Sequence, residues 1–192
     1  MDRRWWLFGG LATAVVAADQ LSKGWVDSAF PVATNRPGLG SSGVADPTPV
    51  LGDLVRIAKT YNDGGIFGLF GASAPILGAA SLAVIALIVL YQARHGVREP
   101  SVLSAALGLL LGGAIGNLVD RIRFGYVIDF VDMGLGDLRW YTFNVADAAI
   151  SVAILALLVL SFTGGRSRSA TTGPAPRVTP LGTDVPTSGP GT

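Results

Sequence analysis

Four long stretches of apolar residues, separated by polar segments, dominate the pattern of this chain. They are approximately Trp5–Ser22, Ala74–Tyr91, Ser101–Val119 and Phe143–Phe162. A helix needs about 20 residues to cross the hydrocarbon core of a bilayer, and these stretches approach that length. The pattern therefore predicts an all-α membrane protein with four transmembrane helices.

Two external segments, at about 24–73 and 121–142, join these helices on one side of the membrane. In the first, the Pro-, Gly- and Ser-rich residues 35–49 predict a flexible loop, and the β-branched and polar residues of Leu54–Tyr61 predict a strand. In the second, Tyr126–Val131 and Arg139–Thr142 predict two short strands. A small extracytoplasmic β-sheet element is therefore expected.

The composition agrees with one membrane domain. Of the 192 residues, 50% are hydrophobic and only 14% are charged, whereas soluble domains carry nearer about 25% charged residues. We expect a four-span domain over residues 1–163 and a disordered cytoplasmic tail over 164–192, which is rich in Pro, Gly, Ser and Thr. The net charge of +1 gives no sign of nucleic-acid binding. A monomer is expected.

The positions of basic residues predict the orientation. In a four-span model the pairs Arg3 and Arg4, Arg94 and Arg98, and Arg166 and Arg168 all lie on one side. Cytoplasmic loops carry an excess of Arg and Lys, so both termini should be cytoplasmic. The other side also carries basic residues, and the even number of spans is the stronger constraint.

The first span has an alternative interpretation as a cleavable signal peptide. Arg3 and Arg4 precede an apolar run that ends in the small residues Val16-Ala17-Ala18. Cleavage there would cut beside the polar cluster Asp19–Lys23 and would leave three spans. A retained span is therefore favoured.

Several classes of chemistry are disfavoured by composition. The chain has no cysteine, which excludes thiol catalysis, disulfides and thiolate metal sites. Its one histidine, His95, lies in a polar stretch and is expected to be a loop residue. Ser22 and Lys23 are adjacent, so they point apart on a helix and do not suit a Ser-Lys dyad. No cluster of metal ligands and no phosphate-binding loop is evident, so neither a metal nor a cofactor is expected.

Three aspartates at the ends of apolar segments are the main candidates for chemistry. A carboxylate beside hydrocarbon is costly, and two close carboxylates cannot both ionise easily, which suits proton transfer. Asp129 lies within an apolar run, whereas Asp147 allows two interpretations, a catalytic group or a first-turn carboxylate behind an Asn144 N-cap. Asp120, next to Arg121, is better explained by a structural ion pair or an anchor at the membrane interface.

Spacing predicts two further features of the helices. Asp19 and Lys23 are four residues apart, so they share a helix face and can pair. Gly108, Gly112 and Gly116 recur every four residues on the third span, which predicts one smooth face for close helix packing.

Five ordered blocks of the sequence carry a resemblance to a known family. They are Asp19–Lys23, Asn62–Phe67, Gly116–Arg121, Val127–Phe130 and Phe143–Asp147. With these blocks and four spans, the chain resembles lipoprotein signal peptidase, also called signal peptidase II, a bacterial aspartyl peptidase. Two departures are Gly65-Ile66, where the family usually has two alanines, and a loop at 35–49 that is longer than usual.

The resemblance implies the following site and activity. The catalytic pair would be Asp129 and Asp147, acting by general acid–base hydrolysis. The supporting or substrate-binding residues would be Asp19, Lys23, Asn62, Gly64, Asn117, Asp120, Arg121 and Asn144. The partners would be membrane lipid and a lipidated prolipoprotein, cut just before its diacylglyceryl-modified cysteine. The enzyme would lie in the bacterial cytoplasmic (inner) membrane, with its active site near the extracytoplasmic face.

Two other functions stay open. A small proton-coupled membrane transporter would need polar residues deep in its spans, and Ala74–Tyr91 and Leu103–Leu111 contain few. An aspartyl membrane peptidase with other substrates would differ from the leading hypothesis in having no dependence on substrate lipidation.

Overall fold

The computed structural model describes residues 2–33, 45–64, 74–96, 98 and 100–168. Within these ranges the chain forms four helices and one four-stranded sheet. The helices are α1 Arg3–Ala29, α2 Ala74–His95, α3 Ser101–Phe124 and α4 Val145–Arg168. The strands are β1 Thr48–Leu51, β2 Val55–Asn62, β3 Val127–Leu135 and β4 Leu138–Arg139.

All four predicted helices are present, and each extends beyond its predicted C-terminal end. The predicted ends follow the apolar stretches, whereas the helical backbone continues beyond them. Two predictions are corrected by these extensions. His95 is the last residue of α2 rather than a loop residue, and α4 runs to Arg168 through residues that were assigned to the disordered tail. Residues 169–192 lie outside the described ranges.

Within the described ranges, three helices are long and apolar enough to cross a membrane. These segments are Pro75–His95, Ser101–Phe124 and Val145–Phe162. Helix α1 is not among them, and it carries the charged Asp19 and Lys23, which are both buried inside the protein. The fold is therefore mostly helical, and α2, α3 and α4 each have the length and hydropathy of a membrane-spanning helix.

Helix α3 lies at the centre of the bundle and packs against the other three helices. Its glycines allow the close approach that the sequence predicts. A Cβ atom added at Gly108 would lie 2.6 Å from the carbonyl oxygen of Phe8 in α1, and one added at Gly113 would lie 2.5 Å from that of Ala146 in α4. The backbone of α3 therefore lies in close contact with the backbone of α1 on one side and with that of α4 on the other.

The sheet is antiparallel, in the order β1-β2-β3-β4. The predicted strand at 54–61 is confirmed as β2, the strand predicted at 126–131 extends to Leu135 as β3, and the last strand is shorter than predicted. Strand β1 was not predicted, because its Thr48-Pro49 start lies in the Pro-rich segment expected to be a loop. It is an edge strand, where proline is tolerated. Residues 34–44 of that segment lie outside the described ranges.

The close contact of α3 with α1 generates a stability prediction. Gly108→Ala should destabilise the protein by about 1–3 kcal/mol, because the added methyl group meets backbone atoms of Phe8 that cannot move independently. Gly10→Ala in α1 is the matched control, since a Cβ atom there has nothing within 4 Å. Thermal unfolding in detergent, followed by tryptophan fluorescence, measures both. Equal midpoints for the two variants would contradict this packing.

Candidate active site

The structure brings Asp129 and Asp147 to one end of the helical bundle. Asp129 lies on β3 and is 1% exposed, and Asp147 lies in the first turn of α4. Both are hydrogen-bonded to the same residue, Asn144. The two carboxylates also interact electrostatically. These are the two residues that the resemblance implies as a catalytic pair.

Asn144 connects the two carboxylates because it is also the N-cap of α4. Its side-chain oxygen accepts from the backbone N–H of Asp147 at 2.9 Å, and its own backbone N–H donates to Asp147 Oδ2 at 3.3 Å. This reciprocal pair is a capping box. Its Nδ2 is left to donate to Asp129 Oδ1 at 2.6 Å. Asp147 therefore takes part in capping α4 and also lies in the candidate site, as both interpretations require.

Asn62, the last residue of β2, holds the second oxygen of Asp129. Its Nδ2 donates to Asp129 Oδ2 at 2.9 Å, and its Oδ1 accepts from the backbone N–H of Gly64 at 2.8 Å. Gly64 has a φ of 77°, a conformation that glycine adopts without strain. Gly64 thus orients Asn62 through its backbone. The remainder of that sequence block, Gly65–Phe67, lies outside the described ranges.

The environment of Asp129 favours its protonated form. The pKa of the Asp129 carboxyl is raised to about 7, chiefly by burial and also by the nearby Asp147 charge, against the lowering effect of the hydrogen bonds from Asn62 and Asn144. The charge of Lys23 also lowers it. A carboxyl with such a pKa can hold or release a proton near neutral pH, as acid–base chemistry requires.

Asn117 of α3 orients the other carboxylate. Its Nδ2 donates to Asp147 Oδ1 at 2.7 Å. Its Oδ1 accepts from Lys23 Nζ at 3.0 Å and from Asn144 Nδ2 at 3.2 Å. These acceptor contacts fix which end of the amide faces Asp147, so Asn117 must present a donor there.

Lys23 lies at the centre of a buried charge cluster. Its Nζ is 2.8 Å from Asp19 Oδ2, which confirms the predicted pairing, and 2.9 Å from Asp120 Oδ2. All three side chains are at most 2% exposed. Asp120 is thus in an ion pair as predicted, but its partner is Lys23 of α1 rather than the adjacent Arg121.

The same cluster contacts the elements that carry the candidate pair. Asp19 Oδ1 accepts from the backbone N–H of Ala146 in the first turn of α4, at 2.9 Å. Asp120 Oδ2 accepts from the backbone N–H of Ile128 in β3, at 3.2 Å. Each contacted residue directly precedes one of the candidate carboxylates in the sequence. The charge cluster therefore positions both.

Two polar residues beside the cluster complete the site. Arg121 Nη1 donates to the carbonyl oxygen of Asn117 at 3.2 Å, and its charge interacts with Asp147 and Asp129. Gln20 was not among the predicted site residues. Its Nε2 donates to Asp120 Oδ1 at 2.9 Å and also contacts Asp19 Oδ2 and the Gly116 carbonyl oxygen at 3.2 Å each. The signal that could have identified Gln20 is its position between Asp19 and Lys23 in the sequence.

The part of the chain that the structure describes contains no group of three or more His, Asp and Glu side chains arranged to hold a metal ion. The site residues themselves supply carboxyl groups, side-chain amides and the two cations Lys23 and Arg121.

The raised pKa of Asp129 predicts a pH-dependent stability. A carboxyl whose pKa is raised on folding stabilises the folded state at low pH, and this contribution is lost as pH rises from about 4 through about 7. Asp129→Asn mimics the neutral carboxyl, so its thermal midpoint should fall less than that of the wild type between pH 4 and 8. Asp137→Asn, at an exposed turn, is the control and should follow the wild type. Parallel curves for all three proteins would contradict the raised pKa.

Comparisons with known proteins identify the family of this chain. A family model described as signal peptidase (SPase) II matches residues 11–163. The lipoprotein signal peptidase of Moorella thermoacetica is 35% identical over 147 residues, which cover 77% of this chain and 87% of the relative. That of Acaryochloris marina is 37% identical over 166 residues, which cover 86% of this chain and 94% of the relative.

The fold also matches a solved structure of a bacterial membrane enzyme, obtained by the in meso method at 2.3 Å resolution. The match has a TM-score of 0.65 and covers 86% of this chain and 92% of the other. At 19% sequence identity it supports the fold alone. The family model and the relatives, which span most of the sequence, establish that this chain belongs to the signal peptidase II family.

Proposed function

We propose that the chain is an aspartic endopeptidase that removes signal peptides from prolipoproteins, by cleaving just before a diacylglyceryl-modified cysteine. Family membership and relatives named lipoprotein signal peptidase support the substrate class. The observation that carries the proposal is the pair of carboxylates, Asp129 and Asp147, that Asn144 joins at one end of the bundle.

The proposed reaction is direct attack by water on the scissile carbonyl carbon. One carboxylate of the pair takes a proton from the water, whose oxygen then bonds to that carbon. The other carboxyl, protonated, hydrogen-bonds the carbonyl oxygen, and a proton reaches the leaving amine as the C–N bond breaks. The pair shares one proton in this scheme, and the raised pKa of Asp129 allows that carboxyl to hold it up to about pH 7.

The supporting residues have distinct roles in this proposal. Asn62 and Asn144 fix the two oxygens of Asp129, and Asn117 fixes Asp147. Asp19, Lys23 and Asp120 hold the elements that carry the pair, and Gly64 orients Asn62. Arg121 supplies a positive charge close to the pair. No step requires a cofactor.

The position of the site suits a lipid-modified substrate. The candidate pair, the C-terminal end of α3 and the sheet share one end of the bundle, and Arg3, Arg4 and Arg94 lie towards the other. Basic residues favour the cytoplasmic side, so we place the site at the extracytoplasmic face of the cytoplasmic membrane, with four spans and both termini in the cytoplasm. The acyl chains can then stay in hydrocarbon while the peptide bond meets water at the interface.

The proposal predicts that both carboxylates and the substrate lipid are required. Asp129→Asn and Asp147→Asn should each lower cleavage of a diacylglyceryl-modified prolipoprotein by several orders of magnitude, because each removes one member of the acid–base pair. The double variant should be little worse than either single one. Cleavage by purified protein in bilayers, with folding checked by thermal unfolding, measures this. Asp137→Asn serves as the control.

Three outcomes would overturn parts of the proposal. Near-normal cleavage by either single variant would remove that residue from the mechanism. Equal cleavage of the unlipidated substrate would indicate a membrane peptidase with other substrates. No cleavage by a folded wild-type protein would favour a non-enzymatic function such as proton-coupled transport.

A further inference from the structure

A second buried aspartate on β3 lies outside the candidate site and is held by two arginines. Asp132 is 5% exposed. Arg56 of β2 donates to its Oδ2 from Nε at 2.8 Å and from Nη2 at 2.6 Å. Arg139 of β4 donates to its Oδ1 from Nε at 3.0 Å. One carboxylate thus binds both strands that flank β3, and we call these three residues the Asp132 cluster.

Asp53, before β2, closes the cluster on its exposed side. Its Oδ1 is 3.1 Å from Arg56 Nη1, and its carbonyl oxygen accepts from Arg139 Nη1 at 2.6 Å. The charges balance, with two arginines and two aspartates. Burial raises the pKa of Asp132. The hydrogen bonds and charges of Arg139 and Arg56 lower it by more, so the pKa of Asp132 lies below its usual value. Asp132 therefore stays ionised and paired.

The Asp132 cluster lies beside an irregularity in the sheet. Arg56 is directly opposite Asp132, and Ile57 is opposite Val131, but the next pair is Thr60 opposite Asp129. Strand β2 therefore has one residue more than β3 across this interval, as in a β-bulge. A bulge interrupts the backbone ladder, so side-chain contacts beside it help to hold the two strands in register.

The register beyond the bulge decides whether Asn62 reaches Asp129. Asn62 is two residues beyond Thr60, so it is the diagonal neighbour of Asp129 on the same face of the sheet. A slip of one residue would move its side chain to the opposite face. Its 2.9 Å hydrogen bond to Asp129 Oδ2 would then be lost.

Contacts within the bulge and directly before it are consistent with a fixed register. Lys59, inside the bulge, donates to the carbonyl oxygen of Asp27 in α1 at 2.9 Å. Asp132 and Arg56 hold the strands directly before it. A buried carboxylate between two arginines has a strong geometric preference, and a slipped strand would leave it buried without one partner.

We propose that Asp132, together with Arg56 and Arg139, is a positioning group for the reaction, because it fixes the β2–β3 register that presents Asn62 to Asp129. This inference rests on the function proposed above for Asp129. Asp132 itself does not touch the reacting atoms.

The other charged groups that face Asp129 belong to different elements. They are Lys23 of α1, Arg121 of α3 and Asp147 of α4. None of them contacts Asp132 in the structure's hydrogen bonds or ion pairs. A change at Asp132 should therefore reach Asp129 through Asn62. This route has a signature, because the Asn62 hydrogen bond lowers the pKa of Asp129.

The test compares Asp132→Asn, Asn62→Ala and the double variant in cleavage of a diacylglyceryl-modified prolipoprotein. Each single variant should lower kcat by about tenfold with a smaller change in KM. Each should also move the alkaline limb of the pH–rate profile upward, by about one pH unit for Asn62→Ala, because a donor to the ionised carboxylate is lost. Asp132→Asn should add little in the Asn62→Ala background.

The controls separate positioning from general destabilisation. Asp137→Asn, which removes an exposed charge from the β3–β4 turn, should match the wild type in kcat and in pH profile. In the Asn117→Ala background, Asp132→Asn should keep its full effect, because Asn117 acts on Asp147 instead. If Asp132→Asn does not fold, Arg139→Lys keeps the charge and should give a smaller shift in the same direction.

A wild-type pH profile for folded Asp132→Asn, or an effect that is additive with Asn62→Ala, would overturn the inference. These results are distinct from failure of the proposed function. An inactive Asp129→Asn beside an unchanged Asp132→Asn removes only the positioning role, whereas an active Asp129→Asn removes the catalytic assignment itself.

Discussion

The arrangement of the site depends on the buried ion pairs of the Lys23 ammonium group. Burying an unpaired charge among apolar helices is very costly, and breaking a buried ion pair typically costs about 3–5 kcal/mol. Here Lys23 contacts two carboxylates and one amide oxygen, all within 3.0 Å. Its partners lie on α1 and α3, so these helices cannot separate without exposing a charge to hydrocarbon.

The consequences of this pairing extend to both halves of the candidate site. Asp19 and Asp120 each also accept a hydrogen bond from a backbone N–H group. The group that Asp19 binds lies at the start of α4, and the group that Asp120 binds lies on β3. The glycine face of α3 brings these elements close enough, and a Cβ atom at Gly116 would lie 2.6 Å from Asp19 Oδ2. Helix packing, the buried charges and the geometry of the candidate site are therefore parts of one arrangement.

The sequence predicts most of this fold and part of the site. Apolar stretches determine the four helices, and the spacing of Asp19 and Lys23 determines their pairing. The partner of Asp120 could not be predicted, because Lys23 is remote in sequence whereas Arg121 is adjacent. Gln20 and Asp132 were missed for a related reason. Their contacts depend on which helices and strands become neighbours, and on a bulge in β2 that no local pattern marks.

In the proposed reaction, one carboxylate of the pair activates water, and neither carboxylate attacks the peptide bond. A single-turnover cleavage in ¹⁸O-labelled water, with enzyme in excess, tests it most directly by mass spectrometry of the released signal peptide and of the enzyme. Direct attack by water places one ¹⁸O atom in the new C-terminal carboxylate of the signal peptide and none in Asp129 or Asp147. An unlabelled product, together with ¹⁸O in either aspartate, would show a covalent acyl intermediate and contradict this account.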